Sequence, residues 1–187
     1  MAKNSRAKGR RAERDVAKLL AKWWSEVDKK VEFKVTPLSG GWGGRDGGKH
    51  VRAHFKASGD LMTTSVSFPF TIEVKHREAW SMRNLVAGRA TPVWDWWVQS
   101  QRQSEEEGEI AMLWFRKNNF PWMVALPPSS LPLVQVAPGT WSVVEADLHI
   151  PASMLDANGV PYGAEVPSFI LGERLLKVDP KQFAKEP

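Results

Sequence analysis

Apolar positions recur along the chain with two periods, and the switches between them predict its elements. From residue 5 to about 27, Ala12, Val16, Leu19, Leu20, Trp23 and Val27 fall at helical spacing, with Lys18 and Lys22 elsewhere on the circumference. That is an amphipathic helix, with Ser5 or Asn4 placed to cap it. Residues 31–36 alternate as a half-buried strand does, and Pro37 closes them. Residues 39–49 hold six glycines and predict a loop. A short strand over 50–56 leads to a turn at Ser58-Gly59-Asp60, and 66–75 reads as the central strand, with Pro69 at a bend near its start. Residues 76–91 are polar and irregular. Thr91-Pro92 is a helix start, a capping threonine followed by proline at the first helical position, and the helix runs to about 106 before Gly108. Residues 110–115 form a continuous apolar run of buried-strand length, and 122–126 another.

Beyond 128 the pattern weakens. It predicts short strands at 134–136 and 141–144, a helical turn at 151–155, a strand over 169–178 and a short helix over 180–185. A helical crossover between 66–75 and 110–115 makes those strands parallel. The expected fold class is α/β: a mixed central β-sheet flanked by helices over residues 1–128, with 129–187 a C-terminal extension of short strands and helical turns packed on it.

Composition narrows the function classes. The chain has no cysteine, which excludes disulfides, thiolate metal cages and thiol catalysis and points to a reducing, cytoplasmic setting. No apolar run approaches the roughly 18 residues a membrane span needs, and the N-terminus leads into charge rather than an apolar signal core. Charge is unevenly spread: residues 1–60 carry 15 Lys and Arg against 7 Asp and Glu, and the remainder 11 against 14. Arg6, Lys8, Arg10, Arg11 and Arg14 crowd the amino end of the first helix, where the helix dipole favours acids. A polyanion partner accounts for that placement. Of the ten tryptophans, Trp23, Trp24, Trp114 and Trp122 sit in apolar patterns and read as core. Trp94 and Trp97 share a helix face suited to core, interface or base stacking, while Trp42 lies in the Gly-rich loop.

The chemistry gathers at Asp60 and at Ile72-Glu73-Val74-Lys75. Alternation puts Glu73 and Lys75 on one strand face and Ile72 and Val74 on the other. Two converging acids suit a hard divalent cation, and a neighbouring lysine can relieve charge at a phosphate. Glu13 lies in line with Ala17, Leu20 and Trp24, at the edge of a buried helix face, where an acid is either paired or aimed at a site. Each has a plainer reading: a surface ion pair, a turn-former, a solvated helix acid. The loop lacks the Gly-Lys-Ser/Thr ending of a phosphate-binding loop, and the four histidines lack metal-ligand spacing.

Taken together, Gly9-Arg10-Arg11-Ala12-Glu13-Arg14, Ser39-Gly40, Gly59-Asp60 and Ile72-Glu73-Val74-Lys75 resemble the PD-(D/E)xK nuclease superfamily. Within it, they resemble the archaeal-type, Hjc-like Holliday junction resolvases, phage- or virus-encoded members included. The resemblance spans roughly residues 5–117. It implies a restriction-endonuclease-like core, with Asp60, Glu73 and the Val74 carbonyl as metal ligands joined by Glu13, Lys75 as the catalytic lysine, and Ser39 in a loop that meets the DNA strand. It also implies Mg2+, with Mn2+ as a substitute, a four-way DNA junction as substrate and a homodimer. Lys8, Arg10, Arg11, Arg14, Ser39, Gly40, Trp42, Arg45, Lys49 and Arg77 are the candidate DNA contacts. Gln99, Gln101 and Gln103 lack the following tyrosine of RecB-type exonucleases. The chain departs from the resolvase pattern in its long Gly-rich insertion, in having Ser-Gly rather than proline before the first acid, and in its C-terminal residues.

Overall fold

A computed structural model of the chain describes residues 2–37, 56–86, 89, 91–130 and 167–184. The elements run α1 (Ala2–Trp24), β1 (Phe33–Val35), β2 (Lys56–Ser58), β3 (Leu61–Thr63), β4 (Phe70–His76), α2 (Met82–Val86), α3 (Pro92–Glu107), β5 (Ile110–Arg116), β6 (Met123–Leu126), β7 (Ser168–Leu171) and α4 (Gly172–Leu175). The 3-10 turns Pro128–Ser130 and Pro180–Gln182 complete them.

Four strands form the main sheet in the order β4-β5-β6-β7. β4 and β5 run parallel, in register Glu73 with Leu113 and Lys75 with Phe115, and the remaining pairs are antiparallel. The crossover between β4 and β5 is α3, as the order of elements requires. A smaller antiparallel sheet, β1-β3-β2, touches the main one through a bridge between Gly59 and Ile72. This is a restriction-endonuclease-like arrangement: a mixed sheet with helices on both faces.

Helix α1 covers one face. Its Ala12, Val16, Leu20, Trp23 and Trp24 pack with Ile72, Val74, Met112, Trp114 and Val124. Helix α3 covers the other, with Val93, Trp94 and Trp97 against Ala111, Leu113, Phe115 and Ala125. Double coverage explains why β5 is apolar at consecutive positions rather than alternate ones. Trp94 and Trp97 are core, and so is Trp80.

Several boundaries differ from the sequence expectation. β4 begins at Phe70, because the chain before Pro69 turns back on itself: Phe68 N–H donates to the Ser65 carbonyl and Lys56 Nζ to the Phe68 carbonyl (2.7 Å), while Val66 stands 78% exposed. Within the four-stranded sheet β4 is an edge strand rather than a central one. The stretch 76–91 contains α2, with Trp80 and Leu85 buried. Thr91 takes the N-cap position ahead of Pro92, but its hydroxyl makes no capping hydrogen bond. The strand expected over 169–178 ends at Leu171. There Gly172 N–H donates to the Trp122 carbonyl (2.7 Å), and the chain turns into α4, a glycine being needed because a Cβ would lie 2.8 Å from the Trp114 ring. β7 pairs with β6, and Phe183 joins the α1 core. The predicted strand at 50–56 is represented by β2 at Lys56–Ser58. Its earlier residues, the Gly-rich loop and the elements expected at 134–136, 141–144 and 151–155 lie outside the described residues.

Candidate active site

Asp60 reaches the β4 edge through a glycine. Gly59 adopts a φ of 69°, and its bridge to β4 is so close that a Cβ would stand 2.3 Å from the Ile72 carbonyl oxygen. Past that contact, Asp60 N–H donates to the Ile72 carbonyl (2.8 Å) and Asp60 Oδ2 accepts from the Val74 N–H (2.8 Å). The Asp60 carbonyl in turn accepts from Thr36 N–H (2.9 Å), tying the turn to the smaller sheet. The aspartate is thus fastened to the strand on both sides of Glu73.

Register with Leu113 and Phe115 turns Glu73 and Lys75 toward the α3 face, and their side chains form an ion pair. Glu13 arrives from α1. Glu13, Asp60 and Glu73 line one cavity of about 240 Å3 together with Val74 and Lys75. Its remaining lining comes from Gly9 of α1, from His76 and Arg77 at the end of β4, and from Gln99 and Gln103 of α3. An edge position for β4 is what lets groups from both of its faces meet at one place.

The three acids are 8%, 8% and 2% exposed in chain order. Burial, reinforced by the charge of Asp60, pushes the Glu73 carboxyl up to about 7 despite the Lys75 ammonium beside it. Burial also raises Asp60, against the opposing Val74 N–H and Lys75. Glu13 is raised by burial and by Asp60, and is held back by Arg10 and Arg14. Glu13 Oε2 is shielded from solvent and has no hydrogen-bond partner. Crowded, desolvated carboxylates with an orphaned oxygen fit a hard divalent cation, whose charge relieves all three at once. Among the described residues no group of three or more His, Cys, Asp or Glu side chains is arranged to hold a metal ion unaided. A hard cation held by one or two carboxylates needs oxygens of water and backbone to complete its shell.

The structure brings together Glu13, Asp60, Glu73, Val74 and Lys75. Arg10, Arg11 and Arg14 are exposed on α1, and Arg10 and Arg14 are close enough to act on Glu13. Lys8 is ion-paired with Glu78, whose carboxylate also accepts from Asn118 N–H at 3.2 and 3.3 Å. Ser39, Gly40, Trp42, Arg45 and Lys49 lie outside the described residues. Sequence reasoning passed over Gly9, His76, Gln99 and Gln103 as cavity residues. The spacing of Gln99 and Gln103, one turn apart on a helix that otherwise buries tryptophans, was the available signal. His76 Nε2 lies 3.1 Å from Asn118 Oδ1, and burial with the nearby Lys8 and Arg116 holds its imidazole below the usual range.

A restriction-endonuclease-like sheet carrying Asp-x12-Glu-x-Lys at an accessible edge defines a PD-(D/E)xK nuclease, a class of hydrolases that typically works with divalent metals. A family model described as "Phage putative PDDEXK endonuclease" matches residues 4–151, and the chain belongs to that family. It is accordingly a nuclease with DNA as its substrate. No curated protein and no solved structure matches the chain. No helix among the described residues is long and apolar enough to cross a membrane.

Proposed function

We propose that this nuclease is a Mg2+-dependent, structure-selective endodeoxyribonuclease that resolves four-way junctions by paired symmetric nicks, with Mn2+ able to substitute. The observation that carries the metal-dependent reading is the convergence of Glu13, Asp60 and Glu73 from three separate elements on one cavity beside Lys75. Asp60, Glu73 and the Val74 carbonyl would hold the cation, and Glu13, whose Oε2 has no hydrogen-bond partner, would join them directly or through water. When bound, the cation supplies charge relief at the phosphate and lowers the pKa of a water.

The chain's own groups do the rest. Lys75 turns its ammonium from Glu73 toward a non-bridging phosphate oxygen, where negative charge builds as the ester breaks. Arg10 and Arg14, exposed beside Glu13, take the flanking phosphates, contacts that position the duplex without reading its sequence. Preference for a junction is supported by the resemblance of the residue 9–14, 39–40, 59–60 and 72–75 motifs to archaeal-type resolvases. A homodimer with two sites across a two-fold axis suits paired cuts in a branched duplex.

The test incubates labelled four-way junction and linear duplex with the protein in Mg2+ and in EDTA. Paired symmetric nicks confined to the junction are expected. Cutting of linear duplex replaces the resolvase with a restriction, repair or nicking endonuclease. Binding without metal-dependent cleavage leaves only a basic DNA-binding module.

A further inference from the structure

Two residues that line the cavity from opposite helices each carry a solvent-shielded acceptor lacking a donor. One is Glu13 Oε2 of α1, which the proposed cation site absorbs. The other is Gln103 Oε1 of α3, which it does not. Two donors of the cavity are engaged by the acids, Lys75 by Glu73 and the Val74 N–H by Asp60, and none among the described residues reaches Gln103 Oε1. A buried acceptor left unpaired is destabilising, and an unbranched side chain that is only half-buried near the end of a helix can turn outward. Its position on the cavity wall, facing the strand side that carries Glu73 and Lys75, matches a donor that enters with the reaction.

We infer that Gln103 is a positioning residue whose amide oxygen accepts a hydrogen bond from the attacking water. This rests on the nuclease site proposed above. A water donating one hydrogen to Gln103 and the other to a carboxylate of the site presents its lone pair in a single direction, toward the phosphate. In the step itself the water oxygen bonds to phosphorus, the P–O ester bond breaks, and the leaving oxygen gains a proton while the water loses one. An amide oxygen is too weak a base to take that proton, so Gln103 orients the water and the proton passes to the carboxylate side. Gln99, one turn earlier and exposed, has no such orphaned atom and is not assigned this role.

The test compares the full chain with Gln103→Met, which keeps length and helix propensity but removes the acceptor, and Gln103→Glu, which keeps an acceptor at the same reach. Melting of the metal-free protein, DNA affinity in EDTA and the single-turnover cleavage rate in Mg2+ are measured for each. Gln103→Met should melt about 2–4 °C higher, because an unpaired acceptor is gone. It should bind DNA within about twofold of the unchanged chain and cleave roughly tenfold or more slowly. Gln103→Glu should recover most of the rate. Cleavage by Gln103→Met at the unchanged rate overturns the inference, as does a lower melting temperature with weakened DNA binding, which marks a structural residue. If the unchanged chain cleaves no DNA with Mg2+ or Mn2+, the nuclease-site proposal falls and this role falls with it. If it cleaves and Gln103→Met matches it, only the role of Gln103 falls.

Discussion

Glu73 shows at the scale of one residue what gathering acids in a buried cavity costs in stability. Its carboxyl sits near 7 in the fold because burial and Asp60 oppose its charge, whereas in the unfolded chain it ionises near 4.5. Between those values the native state binds more protons than the unfolded state, so stability falls as pH rises through the window. The full effect is roughly 3 kcal/mol, present below about pH 4.5 and lost above about pH 7. Metal-free protein should therefore melt progressively lower from pH 5 to 8 by this contribution, and Glu73→Gln should lack it and melt higher than the unchanged chain at pH 8. Parallel melting curves against pH for the two proteins would remove the coupling. Cleavage should rise over the same window, since a cation needs the ionised carboxylate, and Glu73→Gln should not cleave.

At the scale of elements, the site depends on how the Gly59-Asp60 turn meets β4. Gly59 and Gly108 have nearly the same left-handed backbone, with φ of 69° and 65°, but different surroundings. A Cβ at Gly108 would meet nothing within 4 Å, whereas at Gly59 it would collide with the Ile72 backbone. Gly108→Ala should then cost about 1–2 kcal/mol, the backbone cost alone. Gly59→Ala adds the steric cost of moving the turn, about 1–3 kcal/mol more, and should also reduce cleavage by displacing Asp60. Denaturant titration of both variants measures the difference; equal losses would show that the contact yields freely. The same glycine explains a departure from the resolvase pattern. Where that pattern has proline before the acid, this chain uses a residue without Cβ to press the aspartate onto the strand.

At the scale of the whole molecule, basic charge is concentrated in residues 1–60, which include α1, and exposed Arg10 and Arg14 stand beside Glu13. Each contact to a phosphate of duplex DNA releases close to one counterion. Replacing Arg10 and Arg14 together by Gln should weaken binding of all DNA sequences alike and reduce the slope of log affinity against log salt by about 2. An unchanged slope in a fluorescence-anisotropy titration would mean that this end of α1 faces away from DNA. Lys8 is a weaker contributor on the same reasoning, because Glu78 already holds it.

Local sequence pattern determined the long elements. α1 repeats its apolar residues over several turns, α3 carries its apolar residues in its first two turns behind the Thr91-Pro92 start, and β5 is apolar up to Phe115, so local pattern and tertiary environment agree. The Asp60, Glu73 and Lys75 set was legible because residue types and strand alternation carry chemistry without needing coordinates. Position within the sheet was not. The sequence reads 66–75 as the central strand, and β4 is indeed buried at five positions, but pairing makes it an edge strand of the four-stranded sheet. Short elements were hidden for a related reason: α2 and α4 are too brief to display a period, and Trp80 and Leu175 acquire their burial from distant neighbours. Gln103 left only its spacing from Gln99 as a signal, because a glutamine on a helix is ordinarily solvated. Its lone buried oxygen exists only where α3 closes over Glu73, an outcome of packing between segments far apart in the chain.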